Sequence, residues 1–323
     1  QHNTKLETVV TINSGTFSGT AALYQANTLT DATVEELAKV KLGVKGGTFK
    51  GTVQADTVTN FISGGTFTSE VSEDYCAEGF LPAKNEDGTY DIKEGTYVAE
   101  VGGKKYATFE KAYAAAADNG TITLLANCES GRINLEDKSI QVVLNGYTLT
   151  STADYGVMFC AKNGNTVTIN GTKTGSKLVG TLMVTSKTYG HIVMNGGTYE
   201  SSLYCPVYIN GASVGASSLT ITNAVITGTN GGSVALYLAG PSTNTITNTT
   251  ITGEVTGIEL RAGTLTIDNC TVNGGKGELT VSANGSGTTV ENAAIAVSQH
   301  NTKLETVVTI NSGTFSGTAA LYQ

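Results

Sequence analysis

SSLTITNAVITG at residues 217–228, STNTITNTTITG at 242–253 and GTLTIDNCTVNG at 263–274 are three versions of one pattern. Each sets an apolar residue (Ile221, Ile246, Ile267) directly after a threonine (Thr220, Thr245, Thr266). Two residues before it the chain is apolar at Leu219 and Leu265, with Asn244 as the exception. Alternation of this kind marks a strand with one buried face. Two residues after it stands Asn223, Asn248 or Asn269, and three further on an apolar residue returns at Ile226, Ile251 or Val272. Asparagine enters the left-handed backbone region more readily than most residues, so the pattern predicts a strand, a tight corner and a second strand.

The same pattern extends in both directions. Its markers are Leu144, Ile169, Met194, Ile221, Ile246, Ile267, Val290 and Ile310, at spacings of 25, 25, 27, 25, 21, 23 and 20. Nearer the start it recurs at Ile12, Val44 and Ile62, spaced by 32 and 18. The corner position holds Gly146, Gly171, Gly196, Asn292, Ser14, Gly46 and Gly64 in the other copies. The second strand carries Leu149, Tyr199, Ile295, Phe17, Phe49 and Phe67, and Thr174 breaks the series. A third apolar stretch follows in several copies, at 157–160, 207–209, 235–238 and 257–260.

A coil with three short strands buries its apolar positions only against its neighbours, so several must stack. The expected fold is all-β: a right-handed parallel β-helix (β-solenoid) of about 20–28 residues per coil, with a short amphipathic capping helix. A β-sandwich is the rival, but its hairpins do not explain a constant corner position.

Composition agrees. The 323 residues include 40 glycines, 52 threonines, three prolines and no tryptophan. This favours strands and turns over long helices. Charged residues make up 14 %, against roughly 25 % in an ordinary soluble domain. The net charge is −8 and the only arginines are Arg132 and Arg261. Phosphate binding needs clustered Lys and Arg, so no nucleic-acid partner is expected. No apolar run approaches the roughly 20 residues of a membrane helix, so no membrane insertion is expected.

Residues 1–25, QHNTKLETVVTINSGTFSGTAALYQ, recur letter for letter as 299–323, an offset of 298. Either the parent is a tandem array of units of that length, or identity was imposed on the two ends rather than inherited. In both readings the sequence starts and stops inside a solenoid.

Two stretches interrupt the coils. KKYATFEKAYAAAADNGTITLLAN at 104–127 places Phe109, Ala112, Tyr113 and Ala116 on one helical face, after an N-capping Thr108 and before Asn119-Gly120. Residues 70–98 are acidic and aperiodic, with a loop tip at 85–88. A short helix at 33–40 accounts for the long spacing between Ile12 and Val44. The expected organisation is therefore 1–69 as the last coils of one solenoid unit and 70–98 as a cap or connector. Residues 99–120 are then the capping helix of the next unit, and 121–323 its body.

The runs GGKKYATFEKAYAAAADNGTITLLANCES and ISGGTFTSEVSEDYCAEGFLPAKNEDGTYDI resemble segments of repetitive, pectate-lyase-like β-solenoid surface proteins of gut-type Gram-positive anaerobes. The resemblance implies an extracellular or cell-surface location and specifies architecture far better than activity.

Polysaccharide-active enzymes share this fold, so the carboxylates need weighing. Glu200, Glu254, Glu259, Asp268, Glu278 and Glu291 are scattered about one per coil. Asp268 and Glu291 are expected side by side on adjacent coils, and Glu259 with Arg261 as a solvated surface ion pair. His191 stands alone. No catalytic, cofactor-binding or metal-binding residues are expected. The outward threonines are interrupted by Val143 and Val193 and suit strands in any case, so ice binding is not expected. Cys76, Cys128, Cys160, Cys205 and Cys270 show no CxxC spacing. The last three read as buried thiols, while Cys76 and Cys128 lie where a bridge between neighbouring units is conceivable.

The functional expectation is a non-catalytic structural repeat protein, its units stacked head to tail in a rod or filament on a bacterial surface. The alternatives are an adhesin that presents aromatic residues to host or microbial glycans, and a polysaccharide lyase or hydrolase.

Overall fold

In the computed structural model the apolar columns become the lining of three-sided coils; residues 6–28, 31–201, 203–210, 215–229, 234–284 and 287–323 are described. The chain divides into two units, Gln1–Tyr97 and Val98–Gln323. No helix among the described residues is long and apolar enough to cross a membrane.

The C-terminal unit is a parallel β-helix. Its first sheet runs from Gly120–Leu124 through Thr166–Gly171, Ser217–Thr222 and Gly263–Asp268 to Thr306–Ile310. A second sheet runs from Cys128–Ser130 to Gly313–Ser316 and a third from Ile133–Leu135 to Ala319–Tyr322, eight strands each. Within each sheet the inward residues stand in register. Ile169, Met194, Ile221, Ile246 and Ile267 form one column. Leu149, Leu178, Tyr199, Ile226, Ile251 and Val272 form the second. Leu182, Val207, Leu236, Ile258 and Ile295 form the third. Nearly all of these are fully buried, so the core is a dry shaft between three sheets.

The corner position behaves as its chemistry demands. Asn223, Asn248 and Asn269 adopt φ of 56°, 50° and 50°. Asn269 Nδ2 also donates to Asn248 Oδ1 of the preceding coil at 2.8 Å.

Four register assignments need correction. Val142, not Leu144, pairs with Ile169. The gap at Thr174 is filled by Leu178, four residues later, because that coil has a longer corner. Val290 is not in the marker column: Ile267 pairs directly with Ile310. Val290 belongs instead to an antiparallel hairpin of Thr280–Asn284 and Gly287–Glu291, an insertion whose alternation imitates a coil. Accordingly Phe315 continues the second column and Ile295 belongs to the third.

Helix Phe109–Ala115 closes one end of the shaft. Thr108 Oγ1 accepts from Lys111 N–H, while Phe109 and Ala112 are buried. Phe109 meets Phe159 edge-on at 5.9 Å. The helix ends five residues before Gly120, because Ala116 turns to extended geometry. Its last carbonyls are satisfied by Lys138 Nζ, which donates to Tyr113 O and Ala116 O at 2.6 Å each.

The N-terminal unit is a shorter solenoid. Thr8–Ile12 pairs in parallel with Val40–Val44, and Thr16–Gln25 with Thr48–Ala55. Phe17, Phe49 and Phe67 stack at 4.9 and 4.7 Å with nearly parallel rings. The positive φ here falls one residue later than expected, at Gly15, Gly47 and Gly65. The insert 26–43 contains a single helical turn, Val34–Leu37, held by a Thr33–Glu36 capping box. The acidic stretch forms an antiparallel hairpin, Phe80–Lys84 with Tyr90–Glu94, which covers the edge at Thr66–Phe67.

A polar residue interrupts the apolar row of Leu219 and Leu265 in the first sheet. Asn244 is fully buried between Leu219 and Leu265. Its Nδ2 donates to Ser242 Oγ and Thr264 O, but its Oδ1 has no partner among the described residues. An unpaired buried acceptor costs about 1–3 kcal/mol. Asn244→Leu, which restores the column, is expected to raise the urea midpoint; a lower midpoint would mean that Oδ1 is satisfied in solution.

Candidate functional site

The third sheet carries the least ordinary chemistry. Along its strands, side chains alternate between the shaft and the outside, and in-register neighbours lie about 4.8 Å apart, close to a ring-stacking distance. On the outer row Tyr208 follows Met183, Tyr237 follows Tyr208, and Glu259 follows Tyr237. The Tyr208 and Tyr237 rings stack at 5.0 Å and 11°. Tyr204 tilts against Tyr208 at 5.1 Å, and the Arg261 guanidinium sits 5.2 Å from the Tyr237 ring centre. Three rings and a cation thus form a column along the coil axis.

At its far end Glu259 and Arg261 pair. Arg261 Nε and Nη2 donate to Glu259 Oε1 at 2.8 and 2.7 Å. The expected surface pair is in fact buried, the two side chains being 3 % and 1 % exposed. The inserted hairpin supplies partners for the rest of the guanidinium. Arg261 Nη1 donates to Asn284 Oδ1 at 3.2 Å and Nη2 to Thr289 Oγ1 at 2.8 Å. Burial holds the Glu259 carboxyl above the ordinary range, outweighing the opposing effect of Arg261. Burial likewise pushes up the thiol of Cys205 and the phenol of Tyr204.

Beside the tyrosines opens a cleft of about 800 Å³, lined by Arg132, Asp154, Tyr155, Met183, Tyr204 and Tyr208 among others. Tyr155 has φ 57° and is 74 % exposed. A bulky residue rarely takes that backbone conformation, and here it sets an aromatic ring on the rim. Flat apolar faces with a few charged groups suit a ligand that has both apolar faces and hydroxyl edges.

The other carboxylates are not brought together. Glu200 pairs with Lys177 at 2.7 Å. Asp268 Oδ1 accepts from Ser312 Oγ and Glu291 Oε2 from Thr280 Oγ1, both at 2.7 Å. Asp268 and Glu291 are not neighbours, because Glu291 is in the hairpin and not on the next coil. Glu254 and Glu278 are exposed. His191 Nδ1 lies 2.8 Å from Ser218 Oγ on the outer row of the first sheet. Among the described residues, no three His, Cys, Asp or Glu side chains are grouped to hold a metal ion. Sequence reading located the strands at 207–209 and 235–238 but missed that their tyrosines stack. The available signal was a tyrosine in the middle of both stretches.

No disulfide joins any of the five cysteines. Cys76 is buried, its Sγ 3.7 Å from Ser72 O, so bridging it to a neighbouring unit would require opening its own core. Half-buried Cys128 has its thiol pushed up to about 11 by burial, with a smaller contribution from Glu110. Ellman's reagent is therefore expected to count five thiols in denaturant and to react slowly with native protein near pH 8. A fast stoichiometric reaction in the native state would contradict these environments.

Against known proteins, the chain matches the family model described as a right handed beta helix region over residues 205–312. That stretch holds Tyr208 and Tyr237 of the column, the ion pair and the hairpin. The fold is thus a right-handed parallel β-helix. No curated protein and no solved structure matches the chain.

Proposed function

We propose that this chain is a structural repeat of a bacterial surface protein, its coils serving as a stiff spacer extended by adding units head to tail. The observation that carries this reading is the axial continuity of the C-terminal unit. Each coil hydrogen-bonds to the next through three parallel sheets, and the core columns run unbroken to Ile310, Phe315 and Leu321. The resemblance to repetitive surface proteins supports an extracellular location. The engagement of Glu200, Glu259, Asp268 and Glu291 in ion pairs or hydrogen bonds supports a non-catalytic role. Negative-stain microscopy and sedimentation are expected to show elongated particles that lengthen with concentration. Compact monomers at every concentration would overturn the reading. Release of reducing or unsaturated sugars from pectin or mucin would overturn its non-catalytic part.

The tyrosine column favours a second reading, a glycan-binding face on the same scaffold. A glycan array is expected to give hits that Tyr208→Ala weakens. One aromatic contact worth about 0.5–1.5 kcal/mol beyond its area corresponds to roughly two- to thirteen-fold in affinity. An array without hits would remove this reading.

A further inference from the structure

The tyrosine column leaves little ring face for a ligand. Tyr208 contacts the rings of Tyr204 and Tyr237, and Tyr237 contacts Tyr208 and the Arg261 guanidinium. Tyr208 and Tyr237 are both half-buried. The open aromatic surface is Tyr155, 74 % exposed on the rim of the cleft beside them. Tyr155 is held there against its backbone preference. Its φ of 57° and ψ of 13° put a bulky residue in the left-handed region. Among the described residues, ten non-glycine positions have positive φ, and eight of them are asparagine, which takes that conformation far more readily. At 155 the chain carries a ring instead.

Strain of this kind persists where the surroundings over-determine it, and such positions cluster at ligand sites. Ser151 clamps the turn at both ends. Its Oγ donates to Val157 O at 3.1 Å and accepts from Ala153 N–H at 3.2 Å. Gly156 N–H closes the turn on Ala153 O at 2.9 Å. The backbone that carries the ring is therefore set before any ligand arrives, which lowers the ordering cost of binding. The charges beside it are balanced. Among the described residues, the charged side chains that line the cleft are Arg132 and Asp154, and neither is in an ion pair. Arg132 Nε donates to Asn134 Oδ1 at 3.1 Å, which leaves the Nη N–H groups as donors and the Asp154 carboxylate as acceptor.

Resting on the glycan-binding reading, we propose that this face binds a neutral saccharide, seated in the cleft on Tyr155 with its hydroxyls on Arg132 and Asp154. A sugar ring has an apolar C–H face for the aromatic ring. Its hydroxyls both donate and accept, so one cationic donor and one anionic acceptor serve its edge together. An acidic sugar gains Arg132 but meets Asp154 beside it, on a chain of net charge −8. The cleft, at about 800 Å³, is of the size usual for small-molecule sites, roughly 300–1,000 Å³. Tyr208 lines the same cleft, so it contributes to the site through the part of its ring that the column leaves open.

The test is a printed array of neutral and acidic glycans of host and microbial origin, probed with the full chain and its variants and read beside urea unfolding. Neutral glycans are expected to bind and acidic ones not. The hits should persist between about 0.05 and 0.5 M salt, a range over which charge attraction is progressively screened. Tyr155→Asn keeps the left-handed backbone and removes the ring. Its binding is expected to fall roughly two- to thirteen-fold, as for one aromatic contact, with a urea midpoint equal to or above that of the parent. Arg132→Gln and Asp154→Asn are each expected to weaken binding roughly ten-fold. Retained binding with a lowered midpoint in Tyr155→Asn would make the ring structural and overturn the proposal. Hits confined to acidic glycans and lost at high salt, or hits that Tyr208→Ala weakens and Tyr155→Asn does not, would overturn it and leave the glycan-binding reading standing. An array without hits would overturn both.

Discussion

Arg261→Met is expected to destabilise the C-terminal unit by about 3–5 kcal/mol near neutral pH, the usual cost of stranding one partner of a buried ion pair. Glu259 would then be a buried carboxylate with its main counter-charge gone, and Asn284 and Thr289 of the hairpin would lose their donor. The sign of the pH dependence follows from the raised carboxyl. A group whose folded pKa lies above its unfolded value, about 4.3 for glutamate, contributes its stabilisation fully below that value. The contribution fades as pH rises through the folded pKa. Removing Arg261 raises the folded pKa of Glu259 further, so the defect should shrink as the solution is acidified and the carboxyl accepts a proton. Urea unfolding at about pH 7.5 and about pH 5 checks this. An equal loss at both pH values would show that the damage is one of packing alone.

Phe49→Ala is the second large change. Phe49 is fully buried between Phe17 and Phe67, and truncating a core phenylalanine costs about 3–5 kcal/mol. The N-terminal unit has a small core, centred on Val44, Phe49, Ile62, Phe67 and Cys76. Since whole domains have only about 5–15 kcal/mol of stability, that loss is a large share. Limited proteolysis of the variant is expected to remove residues 1–97 while a fragment from about residue 98 persists. Equal resistance of both parts would mean that Phe49 is dispensable.

The fold was readable because a β-helix repeats its constraints. Inward Ile, corner Asn or Gly, and inward Ile again recur in each coil, since each meets the same neighbours above and below. Reading failed where length alone was the guide. The hairpin at 280–291 alternates like a strand pair and sets Val290 at coil-like spacings of 23 and 20 from Ile267 and Ile310, so Val290 passed as a marker. The Leu149 column passed through Leu178 because a corner absorbs extra residues without moving the strand. Burial of Glu259 was not legible, because its cover comes from a hairpin that sequence had assigned to the body of the helix. The tyrosine column was half legible. Tyr208 and Tyr237 lie at matching strand positions, whereas Tyr204 lies outside the strands and Tyr155 reaches the cleft through a backbone geometry no pattern announces.

The hydrogen bonds that hold coil to coil point along the axis, which decides how the C-terminal unit bears tension. A pull along that axis loads one edge strand at a time, and every released coil exposes the next as the new edge. A coil adds about 4.8 Å of axis, yet its roughly 25 residues reach about 85 Å when drawn out. Each yielding step therefore lengthens the chain nearly twenty-fold over what it occupied. The same stacking that resists bending makes the unit an extensible tether that gives way in increments of one coil.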